Sequence, residues 1–123
     1  MAGLPPAARL RRAADFAALR DGARWHGRHF LLRWRTTSEG NARLGLAVSR
    51  KVSKRAVERN RIKRAVRESF RAAREELSAL DILVIARASA ADTPNPELFA
   101  DLALAWRKLN TLKQTPAPGT IGG

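Results

Sequence analysis

Ala56-Val57-Glu58-Arg59-Asn60-Arg61-Ile62-Lys63-Arg64-Ala65-Val66-Arg67-Glu68-Ser69-Phe70-Arg71 is the stretch from which the fold is read. In an α-helix successive residues stand about 100° apart. Asn60, Lys63, Arg64, Arg67, Arg71 and Arg74 then form one stripe, polar enough to face phosphates. Ile62, Val66, Phe70, Ala73 and Leu77 form a second, about as wide as a core-packed helix requires. Glu58, Ala65, Glu68, Ala72 and Glu75 fall on a third face, where the carboxylates can pair with neighbouring arginines. Arg59 falls beside the apolar stripe. With Ser53 as N-cap, the helix is expected from about Lys54 to Leu77, about 35 Å long.

The flanks of this helix read as strands. Upstream, Leu44, Leu46 and Val48 alternate with Gly45, Ala47 and Ser49, so one face carries only small side chains and leaves room for something to approach. Downstream, Asp81-Ile82-Leu83-Val84-Ile85-Ala86 is a near-continuous apolar run, as in a strand covered on both faces. Strand, long helix and strand make a βαβ unit with parallel neighbours. The general rule gives such a crossover a right hand.

Further out, Arg24 to Arg35 predicts one or two strands joined near Gly27 or His29, with Phe30, Leu32 and Trp34 on one face and Leu31, Arg33 and Arg35 on the other. Thr36 to Asn41 is a turn. Arg9 to Arg20 permits a short helix stopped by Gly22, with Phe16 and Leu19 projecting from one side. Residues 87–94 are a small-residue loop, and Asn95-Pro96-Glu97 starts a helix of roughly 15 residues that packs through Leu98, Leu102, Ala105, Leu109 and Leu112. Residues 1–8 are expected as a flexible arm, 9–113 as one domain and 114–123 as a disordered Pro/Gly tail.

Charge narrows the function. The net charge of +13, from 24 Lys+Arg against 11 Asp+Glu, self-repels unless a polyanion is near. Residues 1–49 carry +6, residues 50–74 carry +9 and residues 75–123 carry −2. Eight of the eleven basic residues between 50 and 74 are arginine, whose planar fork matches phosphate oxygens and stacks on bases. An ordinary basic helix face is merely solvated, but this density and sorting indicate nucleic-acid binding. RNA suits it better than DNA, because no tandem helix-turn-helix pattern is present and a basic α/β domain with an aromatic strand fits folded or single-stranded RNA.

Catalytic chemistry is not visible in the chain. There is no cysteine, and His26 and His29, three apart in an extended segment, point to opposite faces and make a poor metal pair. No carboxylate is spaced to converge on either histidine, and no glycine-rich loop opens a helix. No apolar run approaches the roughly 20 residues of a membrane span. A cytoplasmic protein with no membrane association is expected.

The sixteen residues from Ala56 to Arg71 resemble the signature helix of the bacterial ribonuclease P protein subunit, and the likeness continues through Arg43-Leu44-Gly45-Leu46-Ala47-Val48-Ser49-Arg50-Lys51 and Asp81 to Ala86. The resemblance implies an α+β fold: a single two-layer domain, order α-β-β-β-α-β-α, with a central four-stranded sheet and a left-handed βαβ crossover, against the general rule. It implies the non-catalytic protein subunit of an endoribonuclease holoenzyme, a ribonucleoprotein in which a catalytic RNA removes the 5′ leader of precursor tRNA. No cofactor is then bound by the protein itself, Mg2+ enters through the RNA, and the chain is monomeric without RNA. Carried over by motif, Lys51, Lys54, Arg55, Arg59, Asn60, Arg61, Lys63, Arg64, Arg67 and Arg71 contact the catalytic RNA. Phe16 and the exposed sheet face line a groove for the leader. Where the family often has a second aromatic, one turn after Phe16, this chain has Arg20, so leader contact draws on Arg20, Arg33 and Trp34. The competing readings are a basic ribosomal or RNA-chaperone-like protein and a metal-dependent nuclease acting alone.

Overall fold

The computed structural model describes residues 8–10, 13–37, 41–77 and 79–114. The elements in chain order are α1 (Ala13–Ala18), β1 (Ala23–His26), β2 (Phe30–Thr36), β3 (Arg43–Ala47), α2 (Ala56–Ala73), β4 (Leu80–Ala86) and α3 (Asn95–Gln114). The four strands form one mixed sheet in the order β1-β2-β4-β3. The apolar run of β4 sits inside it, antiparallel to β2 and parallel to β3, with Ile82 beside Trp34 and Leu44. This is the α+β order that the sequence predicts.

Alternation along the strands separates two faces. Phe30, Leu32 and Trp34 of β2, Leu44 of β3 and Leu80, Ile82, Val84 and Ala86 of β4 are buried in the main core. Ile62, Ala65, Val66 and Phe70 of α2 and Leu98, Leu102, Ala105, Trp106 and Leu109 of α3 belong to the same core. The rings of Phe70 and Trp106 meet edge to face, 5.7 Å between centroids at 63°, and the Trp106 indole N–H donates to Ser69 Oγ at 2.7 Å. The Asp101 carboxylate of α3 accepts the backbone N–H groups of Arg28 (3.2 Å) and His29 (3.0 Å), fastening the β1–β2 turn to α3. His29 itself is buried, with Nδ1 2.8 Å from Ser89 Oγ.

Several local expectations give way to longer-range contacts. Ser53 does not cap α2: its Oγ accepts the Arg55 N–H, a local turn, and α2 begins at Ala56 and gives way to a 3-10 turn at Arg74–Glu76. Ala65 is buried with the apolar stripe instead of lying beside Glu58 and Glu68, because α3 packs over that side. Asn95 does not cap α3 either, since the Pro94 carbonyl accepts the N–H groups of Glu97 and Leu98. The loop before it contains a 3-10 turn, Ala88–Asp92, and α3 runs 20 residues instead of about 15. Trp34 stands on the helix-covered face as part of the core, so it is not a groove residue. At the end of the expected arm Ala8 is buried, and just beyond it Leu10 N–H donates to Leu44 O at 2.9 Å, so the chain here covers the outer edge of β3. Residues 1–7 of that arm, Ser38-Glu39-Gly40 of the expected turn and 115–123 of the expected tail lie outside the described residues, as does the Leu112 side chain.

Gly22 closes the turn after α1 for reasons of space. A Cβ there would stand 2.5 Å from the carbonyl oxygen of Trp34.

Because Phe70 is wholly buried between α2 and α3, Phe70→Ala is expected to destabilise the fold by about 3 to 5 kcal/mol. Denaturant titration checks this, and an unchanged midpoint would mean that the ring is not the anchor of the interhelical contact.

Candidate nucleic-acid interface

The sheet face away from α2 and α3 is organised in three cross-strand rows. In the first, Arg35 of β2 and Arg43 of β3 flank Asp81 of β4. Asp81 is fully buried and receives Arg43 Nε and Nη2 at 2.9 Å each and Arg35 Nη2 at 3.3 Å. The Arg43 guanidinium also lies 3.5 Å from Asp15 of α1. Paired carboxylates neutralise this end of the face.

The second row runs Arg24, Arg33, Leu83, Gly45. Like charges stand opposite one another at Arg24 and Arg33, an arrangement that destabilises a sheet unless an anion offsets it. Arg33 Nε is buried and has no hydrogen-bond partner in the described structure. At the other end of the row Phe16 of α1 covers Gly45: a Cβ on that glycine would come within 2.7 Å of the Phe16 ring and 3.3 Å of Leu10. The small-residue face read from the sequence is therefore the seat of an aromatic ring. The third row, His26, Leu31, Ile85, Ala47, is a half-open apolar floor. It ends where β3 passes into the basic segment Arg50, Lys51, Lys54 and Arg55, all exposed.

On α2, Asn60, Arg64, Arg67 and Arg71 are exposed and Lys63 is half-buried. Arg74, at the far end of the stripe, donates from Nε to Ala42 O at 2.9 Å and fastens the helix end to the start of β3. Lys63 and Arg67 meet Phe16, Gly45, Leu10 and Arg9 around a cleft of about 290 Å³ at the β3 edge. The helix stripe and the sheet groove, which the sequence treats as separate sites, thus share a border. Such a surface offers fixed cations for phosphates, one ring for stacking and an apolar floor, the combination that suits a single strand of nucleic acid.

A sequence model of the Ribonuclease P family matches residues 4–110. The chain belongs to the ribonuclease P protein family. Its members are the protein component of a tRNA-processing ribonucleoprotein endoribonuclease. The chain is 39% identical over 122 residues to the ribonuclease P protein component of Pseudomonas aeruginosa, covering 94% of this chain and 90% of that one. Its fold matches the RNase P protein of Staphylococcus aureus with a TM-score of 0.76 at 35% identity, over 83% of this chain and 96% of that one. The RNase P protein of Thermotoga maritima matches with a TM-score of 0.73 at 28% identity, over 81% and 96% of the two chains.

Placed on this ribonuclease P protein fold, the motif-derived residues divide. Lys51, Lys54, Arg55, Asn60, Arg64, Arg67 and Arg71 face outward. Arg59 and Arg61 are partly covered and bond to the protein's own backbone. Of the groove residues, Phe16 and Arg33 lie on the open face and Arg20 is exposed beside α1, while Trp34 is on the opposite face. The reading of single residues missed Arg24, Arg35, Arg43 and Arg9; strict alternation puts Arg33 and Arg35 together, but the partners on β1, β3 and the N-terminal segment come only from pairing register. Among the described residues no helix is long and apolar enough to cross a membrane.

Removing the carboxylate of Asp81 leaves Arg43 and Arg35, which are 32% and 42% exposed, without their shared partner. Their access to water moderates the penalty, so Asp81→Ala is expected to lower stability by about 1 to 3 kcal/mol. Thermal melting of the variant checks this, and a melt equal to the parent's would show that the row does not hold β3 to β2.

Proposed function

We propose that this chain binds the catalytic RNA of ribonuclease P through the outward face of α2 with the preceding basic segment, and the 5′ leader of precursor tRNA through the groove floored by the sheet. The catalytic-RNA surface comprises Lys51, Lys54, Arg55, Arg59, Asn60, Lys63, Arg64, Arg67 and Arg71. The leader groove comprises Phe16, Arg20 and Arg33, joined by Arg24 across the β1–β2 pair. Magnesium ions for hydrolysis stay with the RNA in this reading, and the protein contributes binding and orientation.

The observation that carries the proposal is the shared cleft of Lys63, Arg67 and Phe16 over Gly45. A ring seated on the sheet beside two helix cations places stacking and phosphate contacts a short step apart. A leader strand can run along the sheet while the catalytic RNA lies on the helix, and the protein then bridges the two RNAs. Phosphate contacts of this kind position without reading sequence, and the stacking platform accepts any base.

Reconstitution tests the division of labour. The full chain, the catalytic RNA and precursor tRNA are combined in every pairing at low magnesium, with a leaderless tRNA as control. Stimulated cleavage is expected only when all three are present; cleavage by protein and precursor alone would overturn the subunit reading. Phe16→Ala is expected to weaken holoenzyme affinity for the precursor by about 1 to 3 kcal/mol, the worth of one stacked base, and to leave leaderless tRNA unaffected. An equal effect on both substrates would move Phe16 out of the leader site.

Salt dependence addresses the helix separately. Arg64→Ala and Arg67→Ala should each weaken binding of the catalytic RNA and flatten the plot of log affinity against log salt by about one unit for each phosphate that is no longer neutralised. A slope equal to the parent's in both variants would remove α2 from the RNA interface.

A further inference from the structure

Arg61 stands in the densest part of the basic helix, yet its guanidinium is turned into the protein. Nη1 donates to the Thr93 carbonyl at 3.1 Å and to Asn95 Oδ1 at 2.7 Å. Nη2 donates to the carbonyls of Ala91 at 3.2 Å and Ala90 at 3.5 Å, and Nε to Glu58 Oε1 at 3.1 Å. Nη2 also lies 3.0 Å from that carboxylate oxygen. A guanidinium carries five N–H bonds in a fixed fork. Here all three nitrogens are engaged within the protein, and no side of the fork is left for a phosphate.

Its near neighbour is built differently. Arg59 Nη1 donates to the carbonyls of Ser53 and Lys54 at 3.0 Å each, and its Nε and Nη2 have no partner among the described residues. Arg59 can hold the basic segment before α2 through Nη1 alone, with two nitrogens not engaged by other described residues. Arg61 has no such reserve. To reach a phosphate it would have to abandon the carbonyl of Thr93, a buried residue whose backbone acceptor needs a partner, whereas the Ala90 carbonyl would keep the Thr93 N–H.

The groups that Arg61 gathers lie on the connection between β4 and α3, and the last of them, Asn95, is the first residue of α3. We propose that Arg61 is a positioning residue: it clamps the segment from Ala90 to Asn95 onto the first turns of α2, and thereby fixes the orientation in which Asn60, Arg64 and Arg67 meet the catalytic RNA. This departs from the motif-based expectation that Arg61 touches RNA, and it rests on the reading that the outward face of α2 binds that RNA. A clamp acts through population. If its removal leaves the correct orientation occupied a third of the time, apparent affinity falls about threefold while the number of phosphates neutralised stays the same.

The test uses the full chain with the catalytic RNA of ribonuclease P, titrated across a salt series for the parent, Arg61→Lys, Arg61→Gln, Asn95→Ala and Arg64→Ala. Hydrogen exchange of residues 90–95 is followed in the free proteins. Arg61→Lys and Arg61→Gln are both expected to weaken affinity about threefold or more with the parent's salt slope, and to speed exchange at 90–95. Asn95→Ala, which changes no charge, should move both readouts in the same direction to a smaller degree, and it carries the test if an Arg61 variant fails to fold. A flattened slope in Arg61→Gln that Arg61→Lys restores would overturn the proposal, because a lysine supplies a phosphate contact and not a fork. A lower melting temperature with unchanged affinity of the folded variants would also overturn it, leaving a purely structural arginine. Faster exchange at 90–95 combined with an unchanged slope in Arg64→Ala would instead keep the clamp and remove the RNA reading of α2.

Discussion

The register of β4 between its two neighbours is the constraint on which the other features depend. Its antiparallel pairing with β2 and parallel pairing with β3 put Ile82 against Trp34 and Leu44 on one face and Asp81 against Arg35 and Arg43 on the other. A slip of one residue would exchange the faces, pushing a carboxylate into the helix-packed core and an isoleucine between two arginines. The pairing is therefore fixed twice, by apolar burial on one side and by ion pairing on the other. The same register lines up Arg33, Leu83 and Gly45, and so decides that α1 seats its ring over β3 while the β2 end of the row stays basic.

That dependence explains what is legible in the sequence. The order of elements, the long helix with its buried and charged stripes, and the parallel βαβ unit all follow from local periodicity, because each element's pattern is complete within its own residues. Features that fail to follow are those settled by a distant partner. Ser53 and Asn95 both have capping chemistry, yet the first bonds within its own turn and the second receives the Arg61 guanidinium. Ala65 looks neutral on a helical wheel and is buried because α3 lies over it. The face of β2 that carries Trp34 is correctly grouped with Phe30 and Leu32, but which face the helices cover is a property of the sheet and not of the strand.

The candidate site shows the same division. Helical spacing selects Asn60, Arg64, Arg67 and Arg71 as outward groups without knowledge of the fold, whereas Arg24, Arg43 and Arg9 enter only when strands are paired. The family motif adds residues that periodicity leaves ambiguous, but a motif does not distinguish an arginine that touches RNA from one that shapes the protein around it. The two forks differ in geometry: Arg61 is saturated by backbone carbonyls, the Asn95 side chain and a carboxylate, and Arg59 is only half engaged.

A chain with a charge of +13 has to hold its cations apart from one another and still present them together to a polyanion. Carboxylates solve part of this, at Asp81 for the sheet and Glu58 for the helix. Backbone carbonyls solve the rest, for an arginine whose hydrogens are donated to carbonyls keeps its charge while its position becomes fixed. Arg61, Arg59 and Arg74 each tie α2 in this way, to the β4–α3 connection, to the segment before the helix and to the start of β3. The outer stripe is thus held at both ends by members of the same residue class that it displays. Rigidity in the helix then carries over to the spacing of the outward cations, which is the property a shape-reading RNA partner can detect.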